Sequence, residues 1–422
     1  MKRYDRYKES GIPWLPQVPA HWEIAHLRKY LSLISIKGKG DKQLLSVTRE
    51  KGVIERNIDD IEENHNFVPD DLSGYKYVIP GQFVINKMKS WQGSYGVSEY
   101  EGIVSPAYYV CDLVFPNKTF FSKAIRSRVY VDFFAQWSKG IRVGQWDLEP
   151  IALKSIPFFE PPLAEQNKIV DYLDNKISLI ETLKCKRAQE LQTLNELKQA
   201  IIASAVTRGL DSNVPMKDSG QIQFGEIPSH WDCVKMKYCF SQRSEKGYPN
   251  EPVLCATQSR GVIPQSMYEN RVVVVNKGFE GLKLVKIGDF VISLRSFQGG
   301  IEYAYYQGII SAAYTVLTPK EVKNSSYFKY LFKSYPFIQL LQTCVTGIRE
   351  GQNINYAVLG NNFIPIPPAK EQEAIVEYIE SKTKSIDLMI ESLTSEIDRL
   401  TEYKQRLISD VVTGQVNIQD EI

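Results

Sequence analysis

The six cysteines of this 422-residue chain, at 111, 185, 233, 239, 255 and 344, form no Cys-x-x-Cys pair, and the histidines at 21, 26, 65 and 230 make no metal-ligand spacing with them. Neither a zinc site nor a disulfide scaffold is written here. No apolar run approaches the roughly eighteen residues a membrane-spanning helix needs. The opening MKRYDRYKES lacks the apolar stretch of a secretory leader, so a reduced, cytoplasmic protein is expected. Lysine and arginine (51) nearly balance aspartate and glutamate (49), leaving a net charge of +2. A chain that wrapped nucleic acid over its whole surface would be more basic, so any such surface is local.

Catalytic signatures are missing too. Gly38-Lys39-Gly40 is only a fragment of a phosphate-cradling G-x-x-x-x-G-K-[ST]. Pro161-Pro162 and Pro367-Pro368 are flanked by Glu160 and Leu163, and by Ile366 and Ala369. They therefore lack the polar acceptor and the stacking ring of the (Asp/Asn)-Pro-Pro-aromatic tetrapeptide of amino-methyltransferases. Pro69-Asp70-Asp71 has no acidic-x-Lys partner to complete a metal-dependent nuclease. The chain reads as a non-enzyme that binds no metal and no cofactor of its own.

Glycine and proline are also absent from two long stretches, Leu163 to Thr207 and Ala369 to Thr413. Pro162 suits a helix start and Gly209 a stop. In the first stretch Leu173, Ile177, Ile180, Leu191, Leu194, Ile201 and Ala205 lie on one stripe with steps of 3 and 4; Ile379, Ile386, Ile390, Leu393, Ile397, Leu400, Leu407 and Val411 do the same in the second. That period belongs to a coiled-coil seam. At about 1.5 Å per residue each helix would be roughly 65 Å long, a rod that needs a partner. The spacing predicts that the two helices pack on each other, antiparallel or crossed.

The stretches are copies. Glu165-Gln166, Ile169-Val170, Tyr172 and Val206-Thr207 recur 206 residues later as Glu371-Gln372, Ile375-Val376, Tyr378 and Val412-Thr413. The segments before them repeat as well. Val18-Pro19, His21-Trp22 and Ser32 return as Ile227-Pro228, His230-Trp231 and Ser241. Pro13, Pro16 and Pro19 forbid a helix at the start, so an extended opening is expected that turns helical near Trp22. The two histidines read as capping or packing groups beside their tryptophans.

LLSVTREKGVI, residues 44 to 54, is answered by VLCATQSRGVI, residues 253 to 263: a short strand entering a polar turn that reverses at Gly52 or Gly261. Strands at Phe83 to Ile85 and Phe290 to Ile292 lead into Lys89-Ser90-Trp91-Gln92-Gly93 and Arg295-Ser296-Phe297-Gln298-Gly299, and further strands follow from Gly102 and Gly308. Gly140-Ile141-Arg142-Val143-Gly144-Gln145 recurs as Gly347-Ile348-Arg349-Glu350-Gly351-Gln352, a loop presenting donors. Residues 55 to 80 and 264 to 287 share little, and Asp211 to Gln221 reads as a linker.

The fold class expected is α+β. Two α/β domains of similar fold, residues 1–160 and 211–366, are each followed by a long helix, 161–210 and 367–416, with a tail at 417–422. Residue types alone leave open a DNA reader, a coiled-coil scaffold whose heads bind proteins, and a stand-alone nuclease or methyltransferase.

The opening YKESGIPWLPQVPAHWE, the central PPLAEQNKIVDYLDNKISLIETL, its copy PPAKEQEAIVEYIESKTKSIDLMIESL and the endings AIIASAVTRGLD and RLISDVVTGQVN resemble the specificity subunit of Type I restriction–modification systems, over essentially all 422 residues. The resemblance implies two target-recognition domains, each reading one half of a bipartite double-stranded DNA target, with the helices packed as an antiparallel coiled coil between them. It implies assembly with two modification subunits, which carry S-adenosylmethionine and methylate adenine. Restriction subunits that use ATP and Mg are the further partners it implies, and no membrane.

Recognition segments are the variable part of that family, so base contacts are not carried over. Phosphates call for Lys, Arg or backbone donors, and base edges for Arg at guanine and Asn or Gln at adenine. Lys87, Lys89, Trp91, Gln92, Arg142 and Gln145 fit in the first half; Arg295, Phe297, Gln298, Arg349 and Gln352 fit in the second; Arg49, Lys51, Gln258 and Arg260 come next. Glu165, Gln166, Glu371 and Gln372 are expected to face the modification subunits.

Overall fold

A computed structural model describes residues 2–57, 69, 71–140, 146–268, 279–320, 325–346 and 353–419. Two helices dominate it, Leu163–Arg208 of 46 residues and Ala369–Val412 of 44. Each starts where Pro162 or Pro368 accepts the first backbone bonds, from Glu165 and Gln166 or from Glu371 and Gln372, at 2.8 to 3.0 Å. Each stops at a glycine with positive φ, Gly209 at 72° and Gly414 at 71°, the left-handed residue that closes a helix cheaply.

The chain forms two compact units, Met1–Arg187 with Ser395–Ile422, and Ala188–Thr394. This cuts across the linear division read from the sequence, because each unit takes part of each long helix. In the first unit Glu181 pairs with Lys404 at 2.8 Å and Arg187 with Glu396 at 3.1 Å; in the second, Lys198 pairs with Asp387. As the number rises along one helix it falls along the other, so the helices run antiparallel. Lys184, Arg187, Lys198 and Lys404 occupy stripe positions, where charge costs stability but fixes register. Seam residues near the heads, such as Leu173, Ile379, Leu407 and Val411, are fully buried. Those midway, such as Leu191, Leu194 and Leu393, are half-buried, as expected where only two helices meet.

The heads repeat strand for strand. In the first unit a sheet runs Leu31–Ile34, Tyr109–Leu113, Phe83–Ile85, Tyr95–Val97; in the second, Phe240–Arg243, Thr315–Pro319, Phe290–Ile292, Glu302–Tyr303, with every neighbour antiparallel. Two helices follow in each, Lys118–Ile125 and Arg128–Trp137, or Ser325–Leu331 and Tyr335–Thr343. The hairpins Leu45–Thr48/Gly52–Glu55 and Leu254–Thr257/Gly261–Pro264 stand beside the sheets. The divergent segments build matched strands all the same: Lys76–Val78 pairs with Gly102–Val104, and Lys283–Val285 with Gly308–Ile310. Each head has two cores. The larger is aromatic and reaches onto the long helices; the smaller, Val47, Val53, Val78 and Val104 or Val262, Val285, Val291 and Val316, glues hairpin to sheet.

Two sequence expectations are corrected here. The chain is extended just after Trp22 and makes only a single 3-10 turn later, at Leu27–Lys29. Glu23–His26 is a strand that zips onto Pro157–Glu160, and Asp232–Lys235 does the same with Phe363–Ile366, so that ladder pairing across the head overrides local preference. The linker-like segment 211–221 contains a strand, Met216–Asp218, paired with Glu226–Pro228 just as Tyr7–Ile12 pairs with Leu15–Pro19. Past the second long helix, Asn417 donates its amide to Lys2 O and Ile418 is buried.

Candidate nucleic-acid interface

The tip of each head is made where two turns meet, and the repeated residues explain how. Thr48 closes its hairpin by donating to Gly52 O at 3.2 Å and accepting from the Lys51 amide at 3.1 Å. Thr257 does the same with Gly261 O, at 2.8 Å, and the Arg260 amide, at 3.0 Å. Gly52 and Gly261 carry φ of 74° and 72°, which a side chain would strain. Arg49, Lys51, Gln258 and Arg260 are consequently exposed on the turns. The second turn follows the strand ending at Ile85 or Ile292. Its repeated serines, Ser90 and Ser296, are buried and satisfied locally, by Lys87 O and by the Ser293 amide. That leaves Lys89, or Arg295 and Gln298, in solvent, with Gln92 half-buried.

The two turns touch. A Cβ on Gly299 would sit 3.1 Å from the Gln258 side chain, and one on Gly93 would be 4.0 Å from Arg49 O. The structure thus gathers Arg49, Lys51, Lys89, Trp91 and Gln92 at one tip and Gln258, Arg260, Arg295, Phe297 and Gln298 at the other.

The members differ in freedom. Lys87 is tied to Asp147 at 2.8 Å, which raises its pKa. Trp91 is half-buried with its ring centroid 5.0 Å from that of Trp146, and its buried indole N–H has no partner among the described residues. Phe297 packs against the larger core, so part of its role is structural. Arg142, Gln145, Arg349 and Gln352 lie outside the described residues. The bridges that flank them, Lys139 with Asp147 and Thr346 with Asn353, are antiparallel.

Glu165, Gln166 and Gln372 are buried and Glu371 is half-buried, and all four make hydrogen bonds within the chain. Glu165, 4% exposed, accepts from the Tyr4 hydroxyl at 2.5 Å and from the Trp22 indole at 3.1 Å, with His21 Nε2 2.7 Å away. Glu371 repeats this with Trp231 at 3.0 Å and His230 at 2.8 Å, though it is half-buried. Gln166 and Gln372 donate to Pro161 O and Pro367 O, both at 2.8 Å. The acids sit in the first turn of their helices, where the dipole favours a negative charge, and they plug each Pro-x-His-Trp onto its long helix. Sequence reading saw both halves of this lock repeat but not that they meet. Arg126 and Lys333 were missed as well: they reach the tip turns from behind.

Among the described residues no His, Cys, Asp or Glu cluster could hold a metal, and no helix is long and apolar enough to cross a membrane. None of the six cysteines is joined in a disulfide among the described residues.

Two heads with the same hairpin, sheet and helix pair, each presenting a polar tip and each continuous with a long helix, define an internally duplicated recognition protein. Residues 225–399 match the Type I restriction modification DNA specificity domain. The chain is 24% identical to the type I restriction enzyme MjaVIII specificity subunit of Methanocaldococcus jannaschii, across 98% of both chains, and likewise to a second protein of that organism provisionally named the MjaX specificity subunit. It is 20% identical to the EcoKI specificity subunit of Escherichia coli, over 84% of this chain and 79% of that one. A chain from a solved structure concerned with complex assembly and conformational transition of the type I R-M system shares the fold, with a TM-score of 0.64 at 14% identity over 94% of this chain and 99% of that one. These matches bear out the resemblance to the specificity subunits of Type I restriction–modification systems.

Proposed function

We propose that each head reads one half of a bipartite target in double-stranded DNA, with the helix pair setting the unspecified gap between the halves and the chain performing no catalysis of its own. The observation that supports this most is the repetition of one tip architecture whose exposed side chains change in part: Arg49, Lys51 and Lys89 in one head stand where Gln258, Arg260 and Arg295 stand in the other, while Gln92 recurs as Gln298. A shared scaffold whose polar set changes in part, above all from Arg49 to Gln258, suits two different half-sites.

The partners in this reading are two modification subunits, holding S-adenosylmethionine, and restriction subunits that use ATP and Mg. With the Glu-Gln pairs engaged internally, the modification subunits would dock on the outer faces of the long helices, where Leu179, Leu183, Leu388 and Met389 are exposed. Mapping methylated adenines in the host genome tests the reading: they should fall in a two-part motif that disappears when this gene is deleted. Purified chain should bind duplex DNA with an affinity that falls steeply with salt, as phosphate neutralisation requires. A protein-binding scaffold would leave the methylation pattern unchanged and bind no DNA.

A further inference from the structure

We propose that Arg126 and Lys333 are positioning residues for DNA reading: each clamps the hairpin turn of its head to the neighbouring strand or loop and holds the tip in its reading shape before DNA arrives. The proposal rests on the DNA-reading function above.

Arg126 follows the helix Lys118–Ile125 and turns its guanidinium into the tip. Nη2 donates to Arg49 O at 3.0 Å and Glu50 O at 2.7 Å, while Nη1 donates to Tyr95 O at 2.6 Å. One planar group thus bridges the hairpin turn and the strand that follows the second turn. Its space is cleared by glycines: a Cβ on Gly52 would lie 2.8 Å from Nη1, and one on Gly96 would lie 3.3 Å from Gly52 Cα.

Lys333 lies 207 positions further on, in the same place after Ser325–Leu331. Its ammonium donates to Gln258 O at 3.1 Å, Gly299 O at 2.9 Å and Glu302 Oε1 at 2.5 Å, which uses all three protons. Glu302 stands where the first head has Gly96: Gly96 pairs with Val84, and Glu302 with Val291. The copies therefore reach one result by different chemistry, an arginine on carbonyls alone or a lysine on carbonyls and a buried acid.

Apolar packing would suffice merely to keep these turns attached. Charge-assisted bonds to the carbonyls of Arg49 and Gln258 also fix the peptide planes that carry those exposed side chains. A tip fixed in advance loses less entropy on binding.

The test uses the full chain with Arg126→Met, Lys333→Met, Arg126→Lys and Lys333→Arg. Hydrogen exchange of the amides of residues 50–52 and 258–261 reads the clamp without DNA: they should exchange at least about tenfold faster in the Met variant of the same head, with the other head unchanged. Selection from a randomised duplex pool reads its consequence. Arg126→Met should blur one half of the recovered motif and Lys333→Met the other, each weakening binding to the parental sequence about tenfold, while Lys333→Arg retains both halves. Unchanged tip exchange, or a motif that stays sharp in both halves or blurs in both at once, overturns the proposal. Should a Met variant fail to fold, Arg126→Lys, which cannot bridge three carbonyls in the same plane, must show the same one-sided blurring. A parental chain that returns no two-part motif would instead overturn the function on which the clamp rests, and the exchange data would still decide the clamp.

Discussion

Glu165 is the residue on which the first head's attachment to its helix turns. Removing its carboxylate leaves the Trp22 indole and the Tyr4 hydroxyl without their buried acceptor. Glu165→Ala should therefore cost about 3 kcal/mol or more in urea unfolding. Glu371→Ala should cost less because its site is wetter, and the exposed Glu23→Ala should stay within about 0.5 kcal/mol. Equal effects from all three would refute the lock. Glu302 makes a second prediction. Burial raises its carboxyl from 4.5 to about 7 against the pull of Lys333. A folded-state pKa above the unfolded one means the stability this residue contributes is fully present below about pH 4.5 and is lost as pH rises through about 7. The melting temperature of the parent relative to Glu302→Gln should accordingly climb between about pH 8 and about pH 5; a difference that is flat with pH would show that Glu302 does not titrate there.

At the scale of elements, much was legible and the reasons are physical. Glycine-free, proline-free stretches with a 3-and-4 stripe admit little besides long helices, and both helices end within a residue of where Thr207 and Thr413 placed them. The Thr-to-Gly turns announced their hairpins because one short loop must be closed by nearby residues. What stayed hidden was non-local. Glu23–His26 reads as a helix start until its partner, more than a hundred residues away, is known. Arg126 meets Arg49 and Glu50 from 77 and 76 positions off, with no motif to mark the meeting. The candidate tip residues were chosen by type and repetition, while of the Glu-Gln positions, repeated just as faithfully, three are buried and Glu371 half-buried, all bonded within the chain. Repetition marks what a scaffold keeps as readily as what a ligand touches. The helices carry their own prediction: one heptad inserted near residue 184 and another near 390 keeps the stripe and adds about 10 Å, or about three base pairs, to the gap between half-sites. Unaltered spacing in the methylated motif would remove the helices from the role of ruler.

The molecule as a whole is one design used twice. Each unit brings its own tip, its own clamp and its own Glu-Trp-His lock, and the two long helices are shared between units. In the proposed reading the two half-sites need not match, since the scaffold repeats while exposed positions such as Arg49 and Gln258 differ. Selection of bound duplexes from a randomised pool by the intact chain tests this most directly. Two short, unlike blocks of defined bases separated by a constant run of undefined ones are the expected return. A single contiguous block, or no enrichment over the starting pool, would contradict it.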